Sequence, residues 1–292
     1  MDADEVLATK KYLRAIGEWP SIERIDAKKW LARFELQHRE YAVALLDAFV
    51  FISDKQVTKL FVNNIHSMSE EISRPGATYN EKRALWNGFL DAAIITAPTG
   101  EEPNPSDSGH IFQRLARTDI GIDEDRIVID SGLRSVIESN GPAPLVFVDD
   151  FVGSGNQFLE TWNRPQWGGY PATIAQLVTH YQLDVYYAPL VCTAYAAGRI
   201  SASAPEVKIR AAHTLTEVYC ATNPNTIVVP EDLRGGVSQF IEDASRKAGI
   251  VKWKRGFHDL ALDIAFEHSI PDACIAVLWS KEGGWVPLMA KN

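Results

Sequence analysis

One run constrains this chain more than any other. Residues 144–158, PLVFVDDFVGSGNQF, join four apolar residues (Leu145, Val146, Phe147, Val148) to two adjacent acids (Asp149, Asp150) and a small-residue turn (Gly153, Ser154, Gly155). The pattern predicts a buried strand ending in carboxylates, then a loop that opens a helix. An apolar strand between helical patterns suits the middle of a parallel sheet, and open α/β sheets bind ligands just past the carboxyl ends of their strands. Gly153 and Gly155 permit backbone conformations closed to other residues, so successive N–H groups can turn toward one anion at the start of the next helix. A phosphate fits such a loop. The acids have no cation beside them in sequence, which points to a hydroxylated or metal-bearing ligand. The plain alternative is a strand-to-helix connection with an aspartate as cap.

The order of strand, acid pair and small-residue loop resembles the PRPP-binding motif of type I phosphoribosyltransferases. The resemblance implies that Asp149 and Asp150 hold the ribose hydroxyls. It assigns the 5′-phosphate loop to Gly153, Ser154, Gly155, Asn156 and Gln157, with Gln157 where the family usually has Thr. It also implies Mg²⁺, carried by substrate pyrophosphate and not by a protein cage.

Strand and helix patterns alternate from about residue 91. Ala92–Ala97, Arg126–Asp130, Asp184–Cys192 and Val207–Ala212 read as strands, and Phe158–Trp162, Pro171–Tyr181 and Thr193–Ser203 as helices. This alternation predicts a doubly wound, mostly parallel sheet with right-handed crossovers. Upstream, apolar residues at three- and four-residue spacing predict helices over 3–17, 26–53, 54–65 and 79–92. The expected organisation is a helical region over 1–90, a phosphoribosyltransferase-like core over 91–222 and a hood-like segment over 223–292.

Residues 98–109, PTGEEPNPSDSG, form a long polar loop between a strand and a helix, a length more often functional than idle. In the resemblance this is the pyrophosphate loop, which makes Ser106, Asp107, Ser108 and Gly109 candidates, with Arg114 and Arg117 as charge partners or solvated helix residues. His110 opens the helix that follows. Only about a dozen residues, Ser131 to Pro142, lie where the family carries a long lid, so either the lid comes from elsewhere in the chain or the site is open to water, which favours hydrolysis or binding over transfer to a base.

The tail narrows the resemblance. Leu262, FEHSIP at Phe266–Pro271, Leu278-Trp279 and WVPL at Trp285–Leu288, together with LLDAFVFIS (45–53) and PSDSG (105–109), are similar to the phosphoribosyltransferase-like family of bacterial conflict systems called PRTase-CE. That likeness spans about residues 30–288. It implies a retron-type anti-phage effector that cleaves or transfers at C1′ of PRPP or a nucleotide, with a retron reverse transcriptase and its RNA, or other defence proteins, as partners. A homo-oligomer is compatible with it. A non-catalytic nucleotide-sensing module and a salvage transferase are the other readings. By residue pattern alone, FEHSIP and WVPL read as a strand, a turn and an edge strand. On a strand, Glu267 and His268 would face opposite ways.

The formal net charge of −9 over 292 residues argues against a general nucleic-acid surface. Cys192, Cys220 and Cys274 show no metal-binding spacing. No signal-peptide pattern and no apolar run near the roughly 20 residues of a membrane span are present, so a cytoplasmic protein is expected.

Overall fold

The computed structural model describes residues 2–99, 109–128, 132–166 and 172–291. In chain order the elements are α1 (Ala3–Ala15), α2 (Ala27–Leu31), α3 (Leu36–Ala48), β1 (Val50–Ile52), α4 (Asp54–Ser67), α5 (Ser69–Ile72), α6 (Tyr79–Ala92), β2 (Ile94–Thr96), α7 (Gly109–Leu115), α8 (Leu133–Asn140) and β3 (Leu145–Val152). They continue with α9 (Asn156–Asn163), β4 (Pro165–Gln166), β5 (Ala172–Thr173), α10 (Ile174–Tyr181), β6 (Val185–Thr193), α11 (Ala194–Ser203), β7 (Val207–Ile209), β8 (His213–Leu215), α12 (Val237–Ala248) and β9 (Ile264–Phe266). The chain divides into two compact units, Thr58–Thr214 and a second made of Met1–Val57 with Leu215–Asn292. Residues 58–90, expected with the N-terminal helices, thus fall in the unit that holds the sheet. No helix among the described residues is long and apolar enough to cross a membrane.

The 58–214 unit is the expected α/β structure. β2, β3, β6 and β7 run side by side and parallel, with β8 also pairing β6. Burial explains why β3 is central. Every residue of β3 but Phe151 is buried, and so are all nine of β6, as strands covered on both faces require. One face carries α8 to α11 over a shared core that includes Phe147, Phe158, Trp162 and Tyr187. Phe158 stacks on Tyr187 at 4.4 Å and on Trp162 at 5.7 Å, so the helix after the turn is anchored by aromatic packing. On α4 and α7, Phe61 meets Phe112 at 5.4 Å, and on α6 Phe89 stands edge-on to Tyr186 at 5.6 Å. Asn64 of α4 donates to the carbonyls of Pro189 and Arg210, tying that helix to the sheet. Of the strand expected over Arg126–Asp130, the described residues show a 3₁₀ turn over Glu124–Arg126 and then one parallel bridge, Ile127 to Ile95. Ile129 and Asp130 lie outside the described residues.

The other unit pairs β1 with β9 in parallel, Val50 opposite Ile264. Its apolar spacing had predicted one helix over 26–53, and three elements stand there instead. Asp26 caps α2 by accepting from the Lys29 amide. The chain then turns so that Phe34 packs among Trp30 (4.8 Å), Trp285 (5.6 Å) and Phe240 (5.8 Å). Val50–Ile52 then leaves the helix because β9, distant in sequence, offers it a parallel partner. The expected WVPL edge strand is absent, and the Trp285 indole instead donates to the Val277 carbonyl at 2.9 Å. β9 stops at Phe266, so Glu267 and His268 sit in a turn and escape strand alternation. Both reach Asp54, whose amide donates to Glu267 Oε2 at 2.9 Å and whose Oδ1 lies 3.6 Å from His268 Nδ1.

Candidate functional site

The carboxyl end of β3 places Asp149 and Asp150 next to each other, each 7% exposed. Pleating sends adjacent side chains to opposite faces. Asp149 takes the face of Phe158 and Tyr187. Its Oδ2 accepts from the Tyr187 hydroxyl at 2.8 Å, and its Oδ1 accepts from the Asp150 amide at 2.9 Å. Asp150 Oδ1 accepts from the Phe151 amide at 2.8 Å. Burial, and then the negative charge of Asp150, hold the Asp149 carboxyl well above the usual carboxylate range, and the Tyr187 bond offsets part of that. The same burial raises the Tyr187 phenol, with the Asp149 charge adding to it. The Cys192 thiol behind them is pushed up to about 12, again by burial first and Asp149 second.

The turn after β3 is built against α11. Gly155 sits at φ +77° as the N-cap of α9, a left-handed conformation that favours glycine. A Cβ there would lie 3.1 Å from Ile200 Cγ1 and 3.2 Å from Ile200 Cδ1. The Thr193 hydroxyl donates to the Gly153 carbonyl at 2.6 Å while accepting from the Ala196 amide as the N-cap of α11. Arg199 Nη1 donates to the Ser154 carbonyl and to Asn156 Oδ1, both at 2.6 Å. Ser154 Oγ accepts from the Asn156 amide, and the first helical bond runs from the Leu159 amide to the Gly155 carbonyl. No hydrogen bond among the described residues uses the N–H groups of Ser154, Gly155 or Gln157.

The start of the long polar loop leaves from the same sheet edge. Thr161 of α9 accepts from the Thr99 amide at 3.1 Å and donates to the Thr99 carbonyl at 2.9 Å. Arg164 donates to Thr99 Oγ1 and O at 3.0 and 3.2 Å, and Gln157 Nε2 reaches the Pro98 carbonyl at 3.4 Å. Residues 98–99 therefore lie beside the turn at 153–157. Ser106, Asp107 and Ser108 lie outside the described residues, as does the side chain of His110. Gly109 opens α7. Arg114 is exposed on that helix, and Arg117 pairs with Glu124 at 3.2 Å.

Tyr187 and Arg199, from β6 and α11, and Thr161 and Arg164, from α9 and its end, carry no local signal in the sequence. Thr193 is legible, as a cap residue at a strand-to-helix switch. Among the described residues, no group of three or more His, Cys, Asp or Glu side chains could hold a metal ion. The donor set at this edge is two adjacent carboxylates, one of them turned to Tyr187. It suits a cation that arrives on a substrate's phosphates better than one caged by the protein.

A family model described as PRTase-CE matches residues 27–291. A search of curated proteins finds no match.

Proposed function

The chain belongs to the PRTase-CE family, a phosphoribosyltransferase-like group, and from that premise we propose that its sheet edge binds PRPP or a ribose 5-phosphate nucleotide and cleaves or transfers at C1′. The observation that carries this reading is the turn at 153–157, where the N–H groups of Ser154, Gly155 and Gln157 have no partner among the described residues at the start of α9. Such N–H groups, at the positive end of a helix dipole, favour a phosphate.

Asp150 is assigned to the ribose diol. Asp149, held by Tyr187, fixes the strand end from which Asp150 projects. The segment that begins at Pro98-Thr99 is assigned to pyrophosphate, with Ser106, Asp107, Ser108 and Gly109 as its candidate contacts. Cleavage at C1′ develops positive charge on the sugar and negative charge on the leaving group. When bound with the substrate's pyrophosphate, Mg²⁺ would supply neutralisation of that leaving charge. With water as nucleophile, the products from PRPP are ribose 5-phosphate and pyrophosphate.

One observation favours a second reading, a nucleotide-sensing module without turnover. Much of the connection in which the wider family carries its lid is taken by α8, Leu133–Asn140, so water is not excluded by a long loop among the described residues. The setting implied by the likeness described above, an anti-phage effector acting with a retron reverse transcriptase and its RNA, belongs to the same proposal. Depletion of PRPP or nucleotides would make such an effector toxic.

Incubation of the protein with Mg²⁺, PRPP and mixed nucleotides, followed by mass spectrometry, tests the chemistry. The expected result is loss of one substrate, abolished in Asp150→Asn with its melting temperature preserved. Tight binding in calorimetry without product supports the sensing module. Neither binding nor turnover rejects the ribose-phosphate site.

A further inference from the structure

The turn at 153–157 is held from behind by two side chains of one neighbouring segment. Thr193 donates to the Gly153 carbonyl, and Arg199 donates to the Ser154 carbonyl and to Asn156 Oδ1, each at 2.6 Å. A trans peptide is planar, with its C=O and N–H pointing in opposite directions. Tying the Gly153 and Ser154 carbonyls toward α11 therefore turns the amides of Ser154 and Gly155 to the opposite side. Those amides are among the ones that make no bond to described residues. Gly155 takes φ +77°, and a Cβ there would meet Ile200 of α11 at 3.1–3.2 Å, so the turn lies close against that helix.

Arg199 carries a second signal. Its guanidinium is half-buried over the Tyr195 ring at 5.6 Å, and among the described residues no carboxylate lies within ion-pair distance of it. Its described hydrogen bonds all use Nη1, which leaves the donors on Nε and Nη2 without a described partner. A partly desolvated cation without a counter-charge is costly, and it stands beside a turn whose Ser154 and Gly155 amides have no partner among the described residues.

We propose that Arg199 is the positioning cation of this turn. It aims the Ser154 and Gly155 amides and, acting across the turn from the α11 side, adds positive charge that favours a phosphomonoester in its dianionic form. The inference rests on the ribose-phosphate reading above and adds the residue and the charge state that the site recognises. A lysine in its place keeps the charge but loses the planar fork that holds a carbonyl and an amide oxygen together.

The test is calorimetric titration of ribose 5-phosphate into the wild type, Arg199→Met and Arg199→Lys at pH 5.0 and pH 7.5. These values bracket the second phosphate ionisation near pH ~6. Wild-type affinity is expected to rise with pH. Arg199→Met is expected to bind at least about tenfold more weakly at pH 7.5 and to lose most of that rise, because a tenfold change is the scale of one charge-assisted contact. Arg199→Lys is expected to keep the rise with weaker binding at both values. A purely structural clamp predicts the same loss at both pH values, and that result, or a change under twofold at pH 7.5, overturns the inference. Should Arg199→Met not fold, the pH rise in Arg199→Lys decides, and its absence overturns the inference. If the wild type binds neither ribose 5-phosphate nor PRPP, the ribose-phosphate reading fails first and takes this inference with it.

Discussion

The Tyr187 hydroxyl donates to Asp149 Oδ2 at 2.8 Å across the parallel pair β3 and β6. This bond separates the roles of two acids that look equivalent in sequence. It turns Asp149 into the aromatic layer of the sheet, while Asp150, the next residue, takes the opposite face.

Removing the hydroxyl exposes the strength of that tie. Tyr187→Phe leaves Asp149 Oδ2 without its donor in a buried position, at a cost of roughly 1–3 kcal/mol. Urea denaturation followed by circular dichroism measures it. Wild-type stability in the variant would mean that the bond does not hold the strand end.

Gly155→Ala tests the packing behind the turn at 153–157. A side chain at φ +77° costs about 1–2 kcal/mol, and its Cβ would press on Ile200 at 3.1–3.2 Å. Ile200→Val removes the methyl at 3.2 Å, so the double variant is expected to lose less than the sum of the two single changes. Strict additivity in the double-mutant cycle would contradict the contact.

Asp263 supplies a pH dependence outside the candidate site. Both of its carboxylate oxygens are buried without a hydrogen bond among the described residues, and burial raises its carboxyl well above the ordinary range, with Lys10 opposing. The folded state therefore holds a proton that the unfolded chain releases near pH ~3.9. The resulting stability is full below that value and is lost as pH rises toward the folded pKa. Asp263→Asn removes the loss, so its melting temperature relative to wild type is expected to increase from pH 5 to pH 8. An offset that does not change with pH would refute the argument.

Gly256 is expected to tolerate no side chain. It sits at φ +75°, and a Cβ would meet the Ala273 carbonyl oxygen at 2.2 Å, a backbone atom with no freedom to move aside. Gly256→Ala is expected to cost more than about 2 kcal/mol, combining backbone strain with overpacking. A melting temperature within a degree or two of wild type would show that the 253–261 segment can shift.

Much of the fold was legible because it depends on local pattern. The apolar run before two acids and a glycine turn set β3, the turn and α9. The helix over 79–92 coincides with α6, capped by Thr78 and Glu81 as local sequence directs. The stretch 26–53 misled for the same reason, since helical spacing continues through Phe34 and Val50 while the bend and the strand there answer to partners elsewhere in the chain.

The candidate site was legible to the same depth and no further. Residue order along the chain identified the strand, the acid pair and the glycine turn, because each is written within about fifteen neighbouring positions, and short motifs spread from about residue 30 to 288 carried the family likeness. Tertiary structure alone decided that Asp149 meets Tyr187, that Thr193 and Arg199 hold the turn, and that Thr161 and Arg164 fix Thr99. The reason is register: parallel pairing and helix packing set which distant side chains meet, and neither leaves a period in the sequence from which those partners can be read.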